Sequence, residues 1–168
     1  MNCFGDKEKI CCFFGHRKVE NPINVKEILC GKIEDLIIRD GVRIFLFGSK
    51  SEFDDLCYET VTKLKEKYSF IQRIYIATEV DSEIGDYKKY LLKLYDKVYL
   101  PKGIFRAGKS VYIQRNRNMI ENSGICLFYY NENYSPKSEK GFEKKSGTKI
   151  AYKYAKSKGK KIINIFEK

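Results

Sequence analysis

Five short runs of nearly uninterrupted apolar residues, at 10–14, 42–47, 71–77, 125–130 and 162–166, constrain this chain more than any other feature. A strand points successive side chains to opposite faces, so a run without polar alternation has to be buried on both. Between the runs the spacing changes. Val25, Ile28, Leu29, Ile33, Leu36 and Ile37 recur at helical intervals, and Phe53, Leu56, Cys57, Thr60, Val61 and Leu64 share one face of a second helix at 52–67. Asn24 is the predicted N-cap of the first helix, which Asp40-Gly41 ends. Further helices are predicted at 87–95, 110–122 and 148–158, with a short strand at 98–100. Apolar strands alternating with amphipathic helices predict an α/β fold: a Rossmann-like open, mostly parallel sheet with helices on both faces.

The 168 residues contain neither an internal repeat nor a linker, and are read as a single domain, 1–168. An apolar fraction of 43% with 14% aromatics belongs to a folded chain. No run approaches the roughly 18 apolar residues of a membrane span. Met1-Asn2-Cys3 opens no secretory signal, so a cytoplasmic location without membrane association is the expectation. The cysteines at 3, 11, 12, 30, 57 and 126 lack zinc-ligand spacing and are read as reduced, structural thiols. A cysteine nucleophile would need a base, and His16 is the only histidine. Neither a metal nor a cofactor is expected.

Lysine and arginine exceed aspartate and glutamate by 33 to 22, a net charge of +11. The excess is mostly lysine along helices and in the last third, a pattern that solvated helix faces also produce. It favours an anionic small molecule over nucleic acid as the partner.

In an open parallel sheet, ligands bind beyond the carboxyl ends of the strands. Gly15, His16 and Arg17 follow the first strand; Gly48, Ser49, Lys50 and Ser51 follow the second. Thr78-Glu79 follows the third, and a polar segment, 131–147, follows the fifth and ends in Ser146, Gly147 and Thr148. The last turn hands a loop to a helix, where unpaired N–H groups and the helix dipole favour an anion. Arg17 offers a planar fork to a phosphate or carboxylate. Glu52, Asp54 and Asp55 occupy the first turn of their helix, a place where carboxylates also act simply as caps. Arg115 and Asn118 lie a turn apart on one face of the 110–122 helix, with Arg117 pointing elsewhere and 111, 113, 119 and 120 toward the core.

The chain resembles the SLOG superfamily, which joins the DNA-processing protein A fold to the Lonely-Guy phosphoribohydrolases, and within it the YpsA-like branch. The resemblance rests on Cys12-Phe13-Phe14-Gly15-His16-Arg17, on Gln114-Arg115-Asn116-Arg117-Asn118-Met119-Ile120, and on Gly147-Thr148-Lys149-Ile150-Ala151 through Gly159-Lys160-Lys161-Ile162-Ile163-Asn164. It covers most of the chain and is poor over 80–108. It implies a Rossmann-like cleft for nucleotides, their sugar phosphates or NAD-derived molecules. The branch carries a Gly-rich turn leading to an Asp; here the turn reads Gly48-Ser49-Lys50-Ser51-Glu52-Phe53-Asp54. The Lonely-Guy pattern Gly-Gly-x-Gly-Thr-x-x-Glu places a catalytic glutamate where this chain has Ala151. The first expectation is therefore a nucleotide-binding sensor or sequestering protein without turnover, a use known for SLOG-like domains in bacterial and phage immunity signalling. An alternative is an N-glycosidic-bond enzyme, a phosphoribohydrolase or deoxyribosyltransferase, with Glu52 or Asp54 as the catalytic carboxylate. A second alternative is nucleic-acid binding in the manner of DNA-processing protein A. A homo-oligomer is in keeping with Rossmann-like domains of this size.

Overall fold

The computed structural model describes residues 4–78, 85–104, 108, 110–134 and 146–166. Six strands form one all-parallel sheet: β1 (Ile10–Gly15), β2 (Ile44–Phe47), β3 (Gln72–Ile76), β4 (Lys97–Tyr99), β5 (Ile125–Tyr129) and β6 (Lys161–Asn164). Their order across the sheet is β4-β3-β2-β1-β5-β6. The connecting helices are α1 (Pro22–Ile38), α2 (Glu52–Lys67), α3 (Gly85–Leu94), α4 (Ser110–Glu121) and α5 (Gly147–Ser157). A single 3-10 turn, Lys7–Lys9, precedes β1.

The central strand explains the two-sided sheet. Cys11 and Phe13 point to one face, where they join Leu29 and Ile33 of α1 and Phe53 and Val61 of α2. Ile10, Cys12 and Phe14 point to the other, with Met119 and Ile120 of α4 and Ala151 and Ala155 of α5. Each large side chain taken fully out of water contributes about 1.5–3 kcal/mol, and both faces collect that gain. The helix-covered parallel sheet expected from the apolar runs is the observed fold.

Local differences have local causes. The N-cap of α1 is Asn21, not Asn24: Asn21 stands at φ 48° and its side chain accepts from the Asn24 N–H. Pro22 fixes the choice, because its locked φ and missing N–H suit the first helical position. The predicted strands at 42–47 and 162–166 are shorter in the structure, since Val42, Arg43, Ile165 and Phe166 lie outside β2 and β6. On α4 the residue turned inward beside Val111, Met119 and Ile120 is Arg115, while Ile113 is half-buried. Cys3, Glu79 and residues 135–145 of the predicted polar loop lie outside the described residues. No helix among the described residues is long and apolar enough to cross a membrane.

Candidate functional site

The chain leaves β1 toward one edge through β2, β3 and β4, then returns to place β5 on the other side of β1. Connections on either side of that reversal diverge and leave a crevice above the strand ends. A cleft of about 610 Å³ lies there, inside the range of small-molecule sites. The turns after β1 and β2 and the start of α5 all reach it, through Gly15–Arg17, residues 48–51 and residues 146–148.

The turn after β1 is stapled to α2. Glu52 donates its N–H to the Arg17 carbonyl (3.0 Å), and its carboxylate accepts the Val19 N–H at 2.7 Å. That carboxylate is a clamp for residues 17–19, and it does not line the cleft. His16 is only 4% exposed, and its Nε2 accepts the Asn131 N–H at 2.8 Å. An accepting Nε2 leaves the proton on Nδ1, so the ring is neutral. Burial holds its pKa below the ordinary 6.5. The Tyr134 ring packs on it with centroids 4.2 Å apart, so His16 both lines the cleft and holds the segment that follows β5.

Ser51 caps α2 and is tied to Asp54 reciprocally. Its hydroxyl donates to Asp54 Oδ2 (2.7 Å) and accepts the Asp54 N–H (3.1 Å). Asp54 is 4% exposed and is not a lining residue; its Oδ1 is buried and makes no hydrogen bond among the described residues. Burial pushes its pKa up from 3.8 to about 7, against the pull of the Ser51 hydroxyl, the Arg115 charge and the nearby Ser49 hydroxyl; Asp55 repels it further upward. Asp54 is thus engaged behind the cleft wall, whereas Glu52 is held by the Val19 N–H and borders, with Asp55, an adjoining depression that shares Arg17, Lys50 and Ser51 with the cleft.

Arg115, 6% exposed, reaches the cleft from α4. Its Nε and Nη2 donate to Asn116 Oδ1 at 3.3 and 3.2 Å, and its guanidinium lies 5.5 Å from the Tyr112 ring centre. It passes directly over Gly48. A Cβ there would stand 3.0 Å from Arg115 Cδ and Nε and 2.9 Å from Met119 Sδ. Gly48→Ala is therefore expected to displace Arg115 from the cleft floor. Anion affinity should fall about tenfold while stability falls by only about 1 kcal/mol, as read by titration with an anionic ligand and by thermal unfolding.

The two helix starts differ. At α2, the Glu52 and Asp54 N–H groups are already taken by Arg17 O and Ser51 Oγ. At α5, Ser146 Oγ accepts from Lys149, while the N–H groups of Gly147 and Thr148 have no acceptor among the described residues. The second start is the one that leaves N–H groups open beside the cleft among the described residues.

Of the residues expected at the site, Asn118 is absent from the lining; its side chain and carbonyl accept from Asn122 instead. Asn116, Tyr112, Tyr75, Tyr134 and Phe14 line the cleft without having been expected there. Ala151 is buried in the apolar cluster of Phe14 and Phe128. Burial raises the Cys11 and Cys57 thiols well above the ordinary 9.0. Cys12 and Cys126, opposite one another on β1 and β5 with sulfurs 3.5 Å apart, are equally enclosed. These are packing cysteines, far from the thiolate character of a nucleophile.

No protein-family model matches the chain, and no curated protein matches it. The chemistry of the cleft stands on its own residues. Arg17, Lys50 and Arg115 line it, and no carboxylate does among the described residues.

Proposed function

We propose that the cleft binds a nucleotide or nucleotide-derived molecule, and that the protein is a SLOG-like sensor or sequestering module that leaves this ligand intact. One observation carries the reading: three cations and an open helix start face Tyr75, Tyr112 and Tyr134 in a single cleft without a carboxylate among the described lining residues. Phosphates are recognised by such cations and N–H groups, and a base by flat aromatic faces. The absence of turnover is supported by Glu52, which clamps Val19, by Asp54, which caps α2 from behind Ser51, and by Ala151, which is packed in the core. An N-glycosidic enzyme needs an acid beside the anomeric carbon.

The test is a thermal-shift screen against mono-, di- and cyclic nucleotides, NAD and ADP-ribose, each hit then incubated and analysed by mass spectrometry. Stabilisation of about 2.7 kcal/mol is expected when ligand stands at about 100 times its Kd, with the ligand recovered intact. Release of base or ribose phosphate would make the protein an enzyme and overturn the reading.

A further inference from the structure

We propose that Asp54 is a positioning residue for the ligand: it takes up a proton when an anion enters the cleft, and so turns the Ser51 hydroxyl away from itself and toward that anion. The inference rests on the nucleotide reading above and adds a pH dependence to it.

Asp54 and Ser51 stand on the two sides of the cleft wall. Ser51 lines the cleft, whereas Asp54 is 4% exposed and does not. Ser51 Oγ and Asp54 Oδ2 are 2.7 Å apart, and the Asp54 N–H reaches the same Oγ at 3.1 Å. A hydroxyl has one hydrogen to donate and two lone pairs. While Asp54 is ionised, that hydrogen is committed to Oδ2, and Ser51 has no donor left for an anion. Once Asp54 is protonated, the same 2.7 Å contact runs the other way. Oδ2–H donates to Ser51 Oγ, the Asp54 N–H fills the second lone pair, and the Ser51 hydrogen is released for a phosphate oxygen. The full capacity of the hydroxyl is then used.

The surroundings favour that proton. Asp54 Oδ1 is buried without a hydrogen bond among the described residues, a situation that costs an ionised oxygen more than a neutral one. Around the carboxyl stand Asp55 and Cys57 on its own helix, Ser49 on the turn after β2, Arg115 on α4 and Tyr95 just after α3. Burial raises the Cys57 thiol and the Tyr95 phenol, so both are neutral. Asp55 repels a charge on Asp54 and Arg115 attracts it. Burial outweighs these neighbours and leaves the carboxyl titrating at about 7. Arg115 acts in the same direction as the hydroxyl. It lines the cleft, and a charge on Asp54 offsets its field there. A bound anion therefore favours the protonated acid and raises its pKa further, the proton coming from solvent. Affinity is highest below about 7 and falls as pH rises through that value.

The experiment is calorimetric titration of the full chain with ADP-ribose, NAD, and cyclic mono- and dinucleotides at pH 6, 7 and 8. These ligands carry no phosphate that titrates in that range, so their charge stays constant. One proton with a pKa of about 7 limits the change to about tenfold between pH 6 and 8, and the natural chain should lose about five- to tenfold in affinity. Heats measured in two buffers of different ionisation enthalpy should report uptake of part of one proton on binding. Asp54→Asn carries an amide that donates to Ser51 Oγ at every pH. It should bind as the natural chain does at pH 6 and lose less than about twofold by pH 8. His16, held below 6.5 by burial, titrates alike in both chains and does not produce that difference. Equal affinity of the natural chain at pH 6 and 8, or the same loss in Asp54→Asn as in the natural chain, overturns the inference and leaves the nucleotide reading standing. Failure of every compound to bind at about 1 mM overturns both.

Discussion

Asp54→Asn is expected to stabilise the protein by about 2–4 kcal/mol at pH 8 and to change it little near pH 4. The carboxyl has its pKa raised by burial from 3.8 to about 7 in the folded chain. Between those values the folded state holds a proton that the unfolded chain has released, so stability falls as pH rises. The contribution of the neutral acid is fully present below pH 3.8 and lost as pH passes through about 7. An asparagine removes the charge and with it this loss. The exchange is sterically conservative, and the amide can donate to Ser51 Oγ, which now donates to Asp54 Oδ2. Its oxygen then takes the place of Oδ1, with the Arg115 charge nearby. Urea unfolding at pH 4, 6 and 8 measures the result: a falling curve for the natural chain and a flatter one for the variant. Equal slopes would mean that Asp54 ionises in the folded chain as easily as in the unfolded one.

The same residue marks where sequence reasoning stops. The positions of β1, β2 and β5 were legible because Ile10–Gly15, Ile44–Phe47 and Ile125–Tyr129 are apolar on both faces, which only a covered parallel sheet requires. Once every strand is parallel, the turns at 15–17, 48–51 and 146–148 must open at one end, and they do meet in the cleft. Hydrogen-bond partnership is a different kind of information. The Ser51-x-x-Asp54 spacing is a capping-box pattern and does signal that pair, but nothing in the order of residues says that Val19 takes up Glu52. Helix phase misled in a similar way at Asn118. It shares a face with Arg115, but the residues near the cleft are Tyr112, Arg115 and Asn116, the i, i+3 and i+4 set on the turns closer to the helix start. The aromatic lining was missed because tyrosine serves core and cleft alike. Tyr75 is buried in the core and also borders the site.

Gly15→Ala is the substitution expected to damage the fold most, by about 3 kcal/mol or more. A Cβ at this position would stand 2.3, 2.4 and 2.6 Å from Cδ1, Cγ and Cβ of Phe53. Rotating the ring relieves the first contacts but not the last, because Cβ is fixed to the α2 backbone. Phe53 is fully buried and stacked on Tyr129 with centroids 5.7 Å apart, so the ring has no space to enter. The end of β1 and the start of α2 must therefore separate. Those two segments also carry the Arg17–Glu52 and Val19–Glu52 hydrogen bonds and one wall of the cleft. Loss of stability should thus come with loss of ligand affinity, unlike at Gly48, where affinity falls with only a small change in stability. A double-mutant cycle with Phe53→Ala separates this clash from a general intolerance of the turn. Removing the ring abolishes two of the three close contacts, so the paired variant should lose less than the sum of the single losses, by about 1–3 kcal/mol. Additive losses would show that Gly15 is required for some reason other than its contact with Phe53.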